Sequence, residues 1–472
     1  VSTAFKICRK KGRVVLVGDV GLNLNRADFY AKEIDFLISS SYGPGRYDHL
    51  YEEQGLDYPV AYIRWTENRN MGEYIRLLAE KKVNVDPLIT NRYPINDAAA
   101  AYELLDSGSG STIMCIFTYP CEKDLPRQFL KVQPKTTCTN PGRIGIAILG
   151  AGNFARSVHL PNLLRLRDRF SLRAVVARNG HVARDIAKQF HAAYASTDYE
   201  VVLADPDVNA VIIATRHHLH SEMALAALRA GKHVLLEKPL ALNKKEIDNL
   251  DEFVKASGDR PIPVLLTGYN RRFSPHINRL IELLKDRSGP FMINYRMNAG
   301  YISPNHWIQG PEGGGRNLGE ACHIYDLFTY LTGSVATEIS AHSIAPTSHY
   351  YERTDNFVAT ISFADGTVAT LTYTSLGSQE YPKEMADVYV DGKLVVMEDY
   401  KRLHIYGSRR QSLRTSTQEK GFKEELIAFA DAINNGIWPI PWWQQMQASM
   451  IALAVEGQIQ PKDNSIVTHI EI

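Results

Sequence analysis

The stretch RIGIAILGAGNFA, residues 143–155, places a continuous apolar run directly before a glycine-rich turn. The apolar run predicts a buried strand, and the GxGxxA pattern predicts a turn from that strand into a helix. Gly150 permits the sharp turn, Gly152 lets the backbone approach a pyrophosphate, and Ala155 keeps helix and strand close. The helix that follows supplies amide donors and the positive end of its dipole. The stretch therefore predicts a dinucleotide-binding loop with contacts from Gly150, Gly152, Asn153, Phe154 and Ala155.

The chain after this loop continues the same alternation of strands and helices. Apolar strand-like segments cover residues 171–177, 208–215, 233–239 and 263–270, with helical segments between them. Strands that alternate with helices form parallel sheets. We therefore expect an α/β fold with a Rossmann-type parallel sheet, in an NAD(P)-binding domain over residues 143–270.

The pattern changes after about residue 285. Segments such as DNFVATISFADGTVATLTYTSLG alternate apolar and polar residues, and Asp-Gly pairs lie at 365–366 and 391–392. This pattern is typical of antiparallel hairpins with one buried face. We expect an α+β domain over residues 271–472, with a mostly antiparallel open sheet, C-terminal helices, and roles in substrate binding and oligomerisation.

The segment in front of the loop has its own α/β pattern. Strand-like runs at residues 12–19, 34–43 and 112–119 alternate with helical segments, which predicts a partial Rossmann half-sheet over residues 1–119. Residues 120–142 contain four prolines and no clear period, so we interpret them as a linker. The edge of the first strand should lack its usual neighbour. We expect it to be paired with another chain, covered by the linker or completed by residues upstream.

The composition limits the function classes. The chain has 472 residues, 44% of them hydrophobic and 22% charged, with a net charge of +1. This balance argues against a nucleic-acid or membrane partner, and we expect no signal peptide or membrane span. The five cysteines have no metal-ligand spacing, which predicts reduced thiols, no metal and a cytoplasmic location. Because the sequence begins with Val, we expect a truncated front end or an alternative start codon.

The end of the second strand should carry the residue that reads the ribose. An acidic residue there favours NAD, but this chain has Ala177, Arg178 and Asn179. Arg178 either clamps a 2′-phosphate, stacks on adenine or is a solvated surface residue; we favour the first, and so NADP over NAD. Further cofactor contacts are expected at strand ends: Thr215, His217, Glu237 and Lys238.

Two later motifs carry candidate acid–base chemistry. EKP, residues 237–239, ends a strand, where Lys238 can donate to a substrate oxygen and Glu237 can orient it. GGGRNLGEACHIYDL follows a glycine run, and Glu320 and His323 lie on adjoining turns of one helix face. His323 is the natural general base. The alternatives are that Lys238 forms a surface salt bridge at the strand end and that His323 has only a structural role.

Residues 143 to about 460 resemble the glucose–fructose oxidoreductase / inositol dehydrogenase / MocA (Gfo/Idh/MocA) family. The matching features are the GxGxxA loop, DPDVNAVIIAT, HSEMALAALRAGKHVLLEKPLALN, GYNRRFSP and GGGR…GE.CHIYDL. The resemblance implies hydride transfer between a nicotinamide cofactor and a sugar hydroxyl, with Lys238 as catalytic lysine and His323 as catalytic histidine. Many members have Asp four residues before that histidine, where this chain has Gly319. Glu320 is the candidate substitute, one position later.

Residues 1–118 resemble a different family, the last part of a medium-chain, zinc-type alcohol dehydrogenase. The segments GRVVLVGD, SYGPGRYD and LLAEKKVNVDPLITNRYPINDAAAAYELLDSG carry this resemblance. It implies final strands and helices without the catalytic-zinc domain. We therefore expect this segment to be structural, or the remnant of a longer two-enzyme fusion.

Together these observations predict an NAD(P)-dependent oxidoreductase that acts on CH–OH groups of a sugar or sugar derivative. The resemblance suggests surface polysaccharide metabolism and a homo-oligomer. The alternative is a catalytically inactive nucleotide- or sugar-sensing protein on the same fold, which Gly319 would favour. The expected substrate contacts are Arg272, Tyr295, Asn298 and Trp307.

Overall fold

The computed structural model divides the chain into two compact units, Val1–Leu125 and Pro126–Ile472. It describes residues 1–39, 42–52, 55–106, 112–119, 130–131, 142–258, 260–347, 350–407 and 412–460. Within these ranges no helix is long and apolar enough to cross a membrane.

The first unit contains two separate two-stranded parallel sheets. Strand β1 pairs with β2 from Arg13↔Asp35 to Leu16↔Ile38, and β3 pairs with β4. Its strands are β1 Arg13–Leu16, β2 Asp35–Ile38, β3 Ile89–Pro94 and β4 Met114–Thr118. Its helices are α1 Ser2–Ile7, α2 Arg26–Tyr30, α3 His49–Glu52, α4 Glu67–Ala79 and α5 Ala98–Asp106.

This arrangement corrects the expected single half-sheet. The three predicted strands are present, but the third pairs with β3, a strand that the sequence pattern did not indicate. Among the described side chains of this unit only Phe5, Thr66 and Ala101 are buried. A wider parallel sheet is stable when both faces are covered, and this unit buries too few side chains to cover one.

The second unit begins with a seven-stranded sheet in the order β11-β10-β9-β6-β7-β8-β5. All neighbours are parallel except β5, which pairs antiparallel with β8. The strands are β5 Leu130–Lys131, β6 Ile144–Leu149, β7 Phe170–Val176, β8 Tyr194–Ser196, β9 Ala210–Ile213, β10 His233–Leu236 and β11 Leu265–Thr267. The helices are α6 Leu160–Arg165, α7 Gly180–Gln189, α8 Tyr199–Leu203, α9 His220–Arg229, α10 Lys244–Ala256 and α11 Pro275–Leu284.

The apolar run that opened the sequence analysis forms β6, and all six of its residues are buried. This central position confirms the predicted Rossmann-type sheet. Two described residues of the predicted linker, Leu130 and Lys131, pair with β8 at the sheet edge. The remainder of residues 120–141 lies outside the described residues.

An eight-stranded sheet follows in the order β13-β14-β15-β12-β16-β17-β18-β19. Its neighbours are antiparallel except β12 and β15, which confirms the predicted mostly antiparallel sheet. The strands are β12 Met292–Asn298, β13 Ala336–Ser343, β14 Phe357–Phe363, β15 Val368–Thr374, β16 Glu384–Val390, β17 Lys393–Glu398, β18 Arg402–Tyr406 and β19 Leu413–Arg414. The helices are α12 Cys322–Thr332, α13 Phe422–Asn435 and α14 Trp442–Ile459.

One face of this sheet builds the core. Buried and open positions alternate along β12, β14 and β16, as a half-buried strand requires. The two Asp-Gly pairs form the predicted tight turns, since Gly366 and Gly392 both have positive φ. The buried side chains of this face join those of one face of the Rossmann sheet in a single apolar cluster, and the other Rossmann face has a cluster of its own.

Candidate active site

The glycine-rich loop after β6 has the shape that close approach of a dinucleotide requires. Gly150 has a φ of +93°, and a Cβ there would lie 2.6 Å from the Ala214 carbonyl oxygen. At Gly152, by contrast, no described atom lies within 4 Å of the Cβ position. Ala155 is buried, while Asn153 and Phe154 are exposed. The backbone is therefore open where a pyrophosphate would approach, so the loop fits a dinucleotide.

The helix after the loop opens with a π-helical turn, Ala155–His159. His159 is buried, and its Nε2 lies 2.7 Å from Oε1 of Glu237. The Phe154 ring packs edge-on against His159. Glu237 directly follows β10, so this contact ties the end of β10 to the helix after the glycine loop. The sequence did not indicate His159 as the partner of Glu237.

Arg178 lies where the ribose-reading residue was expected. It follows β7 by two residues and is exposed. The same strand end meets the glycine loop, because the amides of Gly150 and Ala151 donate to the Val176 carbonyl at 3.0 and 3.2 Å. Arg178 therefore stands beside the loop with its guanidinium in solvent, and no acidic residue follows β7 before α7.

Lys238 reaches the segment that leads to His323. Its Nζ donates to the Gly319 carbonyl oxygen at 2.8 Å. Gly319 lies in a second π-helical segment, Asn317–Ala321, which continues into α12. Such wide turns often occur at functional sites. The Lys238 ammonium group therefore lies against the segment that carries His323, and its charge acts on the His323 imidazole.

His323 is buried on the first turn of α12, and its Nδ1 has no hydrogen-bond partner within the described ranges. Burial lowers the pKa of His323 well below 6.5, and the cations Arg271 and Lys238 lower it further. The imidazole is therefore neutral at neutral pH. Because buried polar atoms usually have partners, the unpartnered Nδ1 is suited to a group that arrives with the substrate.

Glu320 makes other contacts than those that a proton relay to His323 would require. Its carboxylate accepts from Lys383 at 2.6 Å, from Arg316 at 2.9 Å and from the Tyr373 hydroxyl. Burial alone would raise the pKa of Glu320, but Lys383 and Arg316 outweigh burial and lower it. None of its hydrogen-bond partners in the described chain is His323. We expected Glu320 to take part in a proton relay. Its contacts indicate instead an ionised carboxylate that anchors the helix on the sheet.

Two expected substrate contacts belong to buried ion-pair networks instead. The Arg272 guanidinium bonds both carboxylate oxygens of Asp326 and, at 2.7 Å, Gln444. The Tyr295 hydroxyl donates to Glu384 at 2.7 Å. Both side chains are fully inside the core, so we correct their role to structural. From the sequence alone, a buried charge cannot be distinguished from a charge in a cleft.

The other expected contacts lie in loops or at strand ends. Trp307 is half-buried, with the Arg216 guanidinium carbon 4.0 Å from its ring centroid and the His217 ring 5.0 Å away. Asn298 ends β12, and its Nδ2 donates to Ser378 at 2.6 Å. Thr215 follows β9 and is also half-buried. Trp307, Asn298 and Thr215 remain predicted contacts.

Several buried charged groups near the site were missed from the sequence. Glu384 bridges Arg271 and Lys420, at 2.8 and 2.6 Å, and these cations face His323. Glu425 on α13 is fully buried, and neither of its carboxylate oxygens has a hydrogen-bond partner among the described residues. Burial raises the pKa of Glu425 well above 4.5, and the nearby Glu237 raises it further. A sequence signal existed for Glu425 alone, because it interrupts the apolar stripe of its helix.

Comparison with known proteins identifies the family. Residues 144–263 match the model described as oxidoreductase family, NAD-binding Rossmann fold, and residues 290–411 match the GFO/IDH/MocA C-terminal domain. The two matches together span about half of the chain, which belongs to the Gfo/Idh/MocA oxidoreductase family. The predictions of an oxidoreductase and of an NAD-binding Rossmann domain are confirmed. Both matches lie after residue 143, and the alcohol dehydrogenase resemblance of residues 1–118 stays a prediction.

The individual relatives have low sequence identity to this chain. Levoglucosan dehydrogenase of Pseudarthrobacter phenanthrenivorans is 26% identical over 340 residues, which are 64% of this chain and 83% of that protein. Myo-inositol 2-dehydrogenase of Thermotoga maritima is 27% identical over 198 residues, 42% of this chain and 57% of that protein. The solved structure of a levoglucosan dehydrogenase with NADH and levoglucosan has a TM-score of 0.58 at 21% identity, covering 67% of this chain and 97% of that one. This structural likeness supports the fold.

The described ranges contain no group of His, Cys, Asp and Glu that could hold a metal ion.

Proposed function

We propose that this protein transfers a hydride between a nicotinamide dinucleotide and a hydroxyl-bearing carbon of a sugar or sugar derivative. The observation that carries the proposal is the hydrogen bond from Lys238 to Gly319, four residues before His323. It holds the ammonium group against the segment that leads to the neutral His323 imidazole, at the carboxyl edge of the Rossmann sheet, where the glycine loop follows β6. The relatives named for levoglucosan and myo-inositol, both polyhydroxylated ring compounds, support this substrate class.

The bound nicotinamide would supply the hydride acceptor, and the chain supplies the proton chemistry. Lys238 would donate to the substrate oxygen and stabilise the negative charge that develops there. His323, already neutral, would take the hydroxyl proton as that charge forms. In the reverse direction, His323 returns the proton to the carbonyl oxygen. Gly319 holds Lys238 in place through its carbonyl oxygen, and substrate binding would exchange that partner for the reacting oxygen.

The test is turnover of levoglucosan, myo-inositol and D-glucose with NAD⁺ and with NADP⁺, followed by absorbance of the reduced nicotinamide. Lys238→Ala should lower kcat/KM by about 10²–10⁴-fold, the range for one acid–base or electrostatic group. It should leave dinucleotide affinity nearly unchanged. Lys244→Ala is the matched control, because Lys244 is exposed and paired with Asp248 on α10. A Lys238 variant with wild-type turnover would contradict the role of Lys238, whereas a wild type that only binds sugar would favour the inactive sensing protein.

We further propose NADP as the preferred cofactor, because the exposed Arg178 follows β7 where an acidic residue would select NAD. Arg178→Asp should weaken NADP⁺ binding more than NAD⁺ binding, measured as two dissociation constants. Arg184→Asp, a neighbouring exposed arginine on α7, controls for the change in charge. Equal losses for both cofactors would show that Arg178 does not read the 2′ position.

The division into residues 1–119, 120–142, 143–270 and 271–472 is our working description of the domains. The homo-oligomer, the cytoplasmic location and the role in surface polysaccharide metabolism remain predictions from the sequence.

A further inference from the structure

His217 is a second buried imidazole at the carboxyl end of the parallel sheet, on the 3₁₀ turn after β9. Its Nδ1 lies 2.7 Å from the Gly313 carbonyl oxygen. A carbonyl only accepts, so Nδ1 must carry the hydrogen and Nε2 must carry the lone pair. Within the described ranges Nε2 has no hydrogen-bond partner. His217 therefore presents a fixed acceptor.

The charge state of His217 decides what it can do. Burial, together with the nearby Lys238, lowers its pKa to about 3, so the ring is neutral at neutral pH. The neutral ring is a good hydrogen-bond acceptor at Nε2. His217 is therefore suited to binding a hydroxyl group.

The ring also occupies the space of a side chain at position 319. A Cβ on Gly319 would lie 2.7 Å from Cε1 of His217 and 3.2 Å from its Nδ1. On its carbonyl side Gly319 accepts from Lys238. The imidazole and the ammonium group thus approach the same residue from two directions, one helical turn before His323.

Trp307 completes this arrangement. It packs edge-to-face with the His217 ring and carries the Arg216 guanidinium on its face, with the Arg216 side chain also 3.7 Å from Glu312. Aromatic faces beside fixed hydrogen-bond acceptors are a common way to bind a ring with both apolar and hydroxyl surfaces.

We infer that His217 is a substrate-binding residue, whose Nε2 accepts a hydrogen bond from a hydroxyl next to the one being oxidised. This inference rests on the proposed function and goes beyond it, because it requires a substrate with neighbouring hydroxyl groups. It also replaces the cofactor contact that the sequence suggested for His217. Gly319 is glycine, on this view, because the imidazole needs its space.

The first experiment replaces His217 by Phe, which keeps an aromatic ring and removes the acceptor. An unpaired buried hydroxyl weakens binding, so KM for the best sugar of levoglucosan, myo-inositol and D-glucose should rise about 10–100-fold. We expect kcat to change less than about threefold and NADPH and NADH dissociation constants to stay the same. His217→Gln, which can both donate and accept, should recover part of the loss. His218→Ala is the matched control, because His218 is the exposed neighbour.

The second experiment tests the shared space with Gly319→Ala. Its added methyl group should displace the ring and raise KM as His217→Phe does. In His217→Ala the ring is gone, so Gly319→Ala should then add little further loss, a non-additivity typical of residues in contact. Fully additive effects, or a change in dinucleotide affinity without a change in KM, would overturn the inference.

The proposed function and the binding role of His217 can be tested separately. If no sugar is oxidised by the wild type, the proposed function is contradicted, and sugar-induced quenching of tryptophan fluorescence then tests His217 directly. Quenching in the wild type that His217→Phe abolishes supports His217 as the binding residue. Quenching that is equal in both proteins, or absent from both, overturns it.

Discussion

The strands β1 and β6 begin two α/β regions of the same chain in nearly the same way. Each is a short apolar run that ends in a glycine turn, RVVLVG in the first unit and IGIAILG in the second. Every residue of β6 is buried, while β1 alternates between exposed and half-buried positions. Strand β6 has a parallel neighbour on each side, and β1 has one, within the described chain. Similar local sequences therefore form a strand in both regions, but the burial of the two strands is very different.

The two glycines after these strands repeat the contrast. Gly18 and Gly150 have almost the same φ, +92° and +93°. A Cβ on Gly150 would press on the Ala214 carbonyl, whereas nothing described lies within 4 Å of the same position at Gly18. The turn is a local property of the sequence. The crowding, and with it the cradle for a ligand, exists only where further strands and helices pack around the turn.

The largest expected effect is on the core. Ile148→Ala removes a fully buried side chain from the central strand of a seven-stranded sheet. It should lower the free energy of unfolding by about 2–5 kcal/mol, the cost of lost burial and a cavity. Val15→Ala, at a side chain that is 49% exposed, should cost about 0.5 kcal/mol or less. Urea denaturation followed by circular dichroism measures both. Equal losses would show that β1 is as well buried in solution as β6.

The next largest effect distinguishes the backbone strain of the left-handed turn at Gly150 from the steric crowding around that turn. Gly150→Ala should cost about 1–2 kcal/mol for the left-handed backbone alone, and the clash with Ala214 adds to that cost. We expect dinucleotide affinity, measured by fluorescence of NADH and NADPH, to fall at least about tenfold. Gly18→Ala carries the same backbone strain without the clash and should leave both dissociation constants unchanged. Unchanged affinity in Gly150→Ala would show that this loop does not hold the cofactor.

The smallest expected effect is that of removing residues 1–125. Every residue of the candidate site lies in the second unit, Pro126–Ile472. Dinucleotide dissociation constants should therefore change less than about threefold, while solubility or oligomeric state changes, measured by light scattering. The full chain is the control. Loss of dinucleotide binding in the shortened protein would mean that the two units form one catalytic body.

Much of the fold could be predicted because it follows from periodicity. The continuous apolar run of β6, the glycine turn after it and the Asp-Gly hairpins are each local patterns with one usual structure. The half-sheet in front was the exception. Its strands were located from the same patterns, but their pairing depends on which surfaces are covered, and β3 with its alternating exposed residues resembled a loop.

The candidate site was predictable to the same extent. Lys238 and His323 were identified from motifs, and Lys238 donates to the carbonyl of Gly319, four residues before His323. Arg272 and Tyr295 had equally plausible side chains, yet their partners Asp326 and Glu384 lie 54 and 89 positions away in the sequence. No spacing rule connects residues so far apart. His217 and Gly319 are also far apart in the sequence, so their proximity could not be predicted either.

The sequence by itself therefore determined the elements, the dinucleotide loop and the chemical groups available for hydride transfer, because each depends on a few neighbouring residues. Only the tertiary structure decided which charged groups are free. It buried Arg272 and Tyr295 in ion-pair networks, held Glu320 between Lys383 and Arg316, and left the imidazoles of His323 and His217 neutral near Lys238. Burial and long-range pairing set the charge and the partner of a side chain, and both arise only when distant segments pack together.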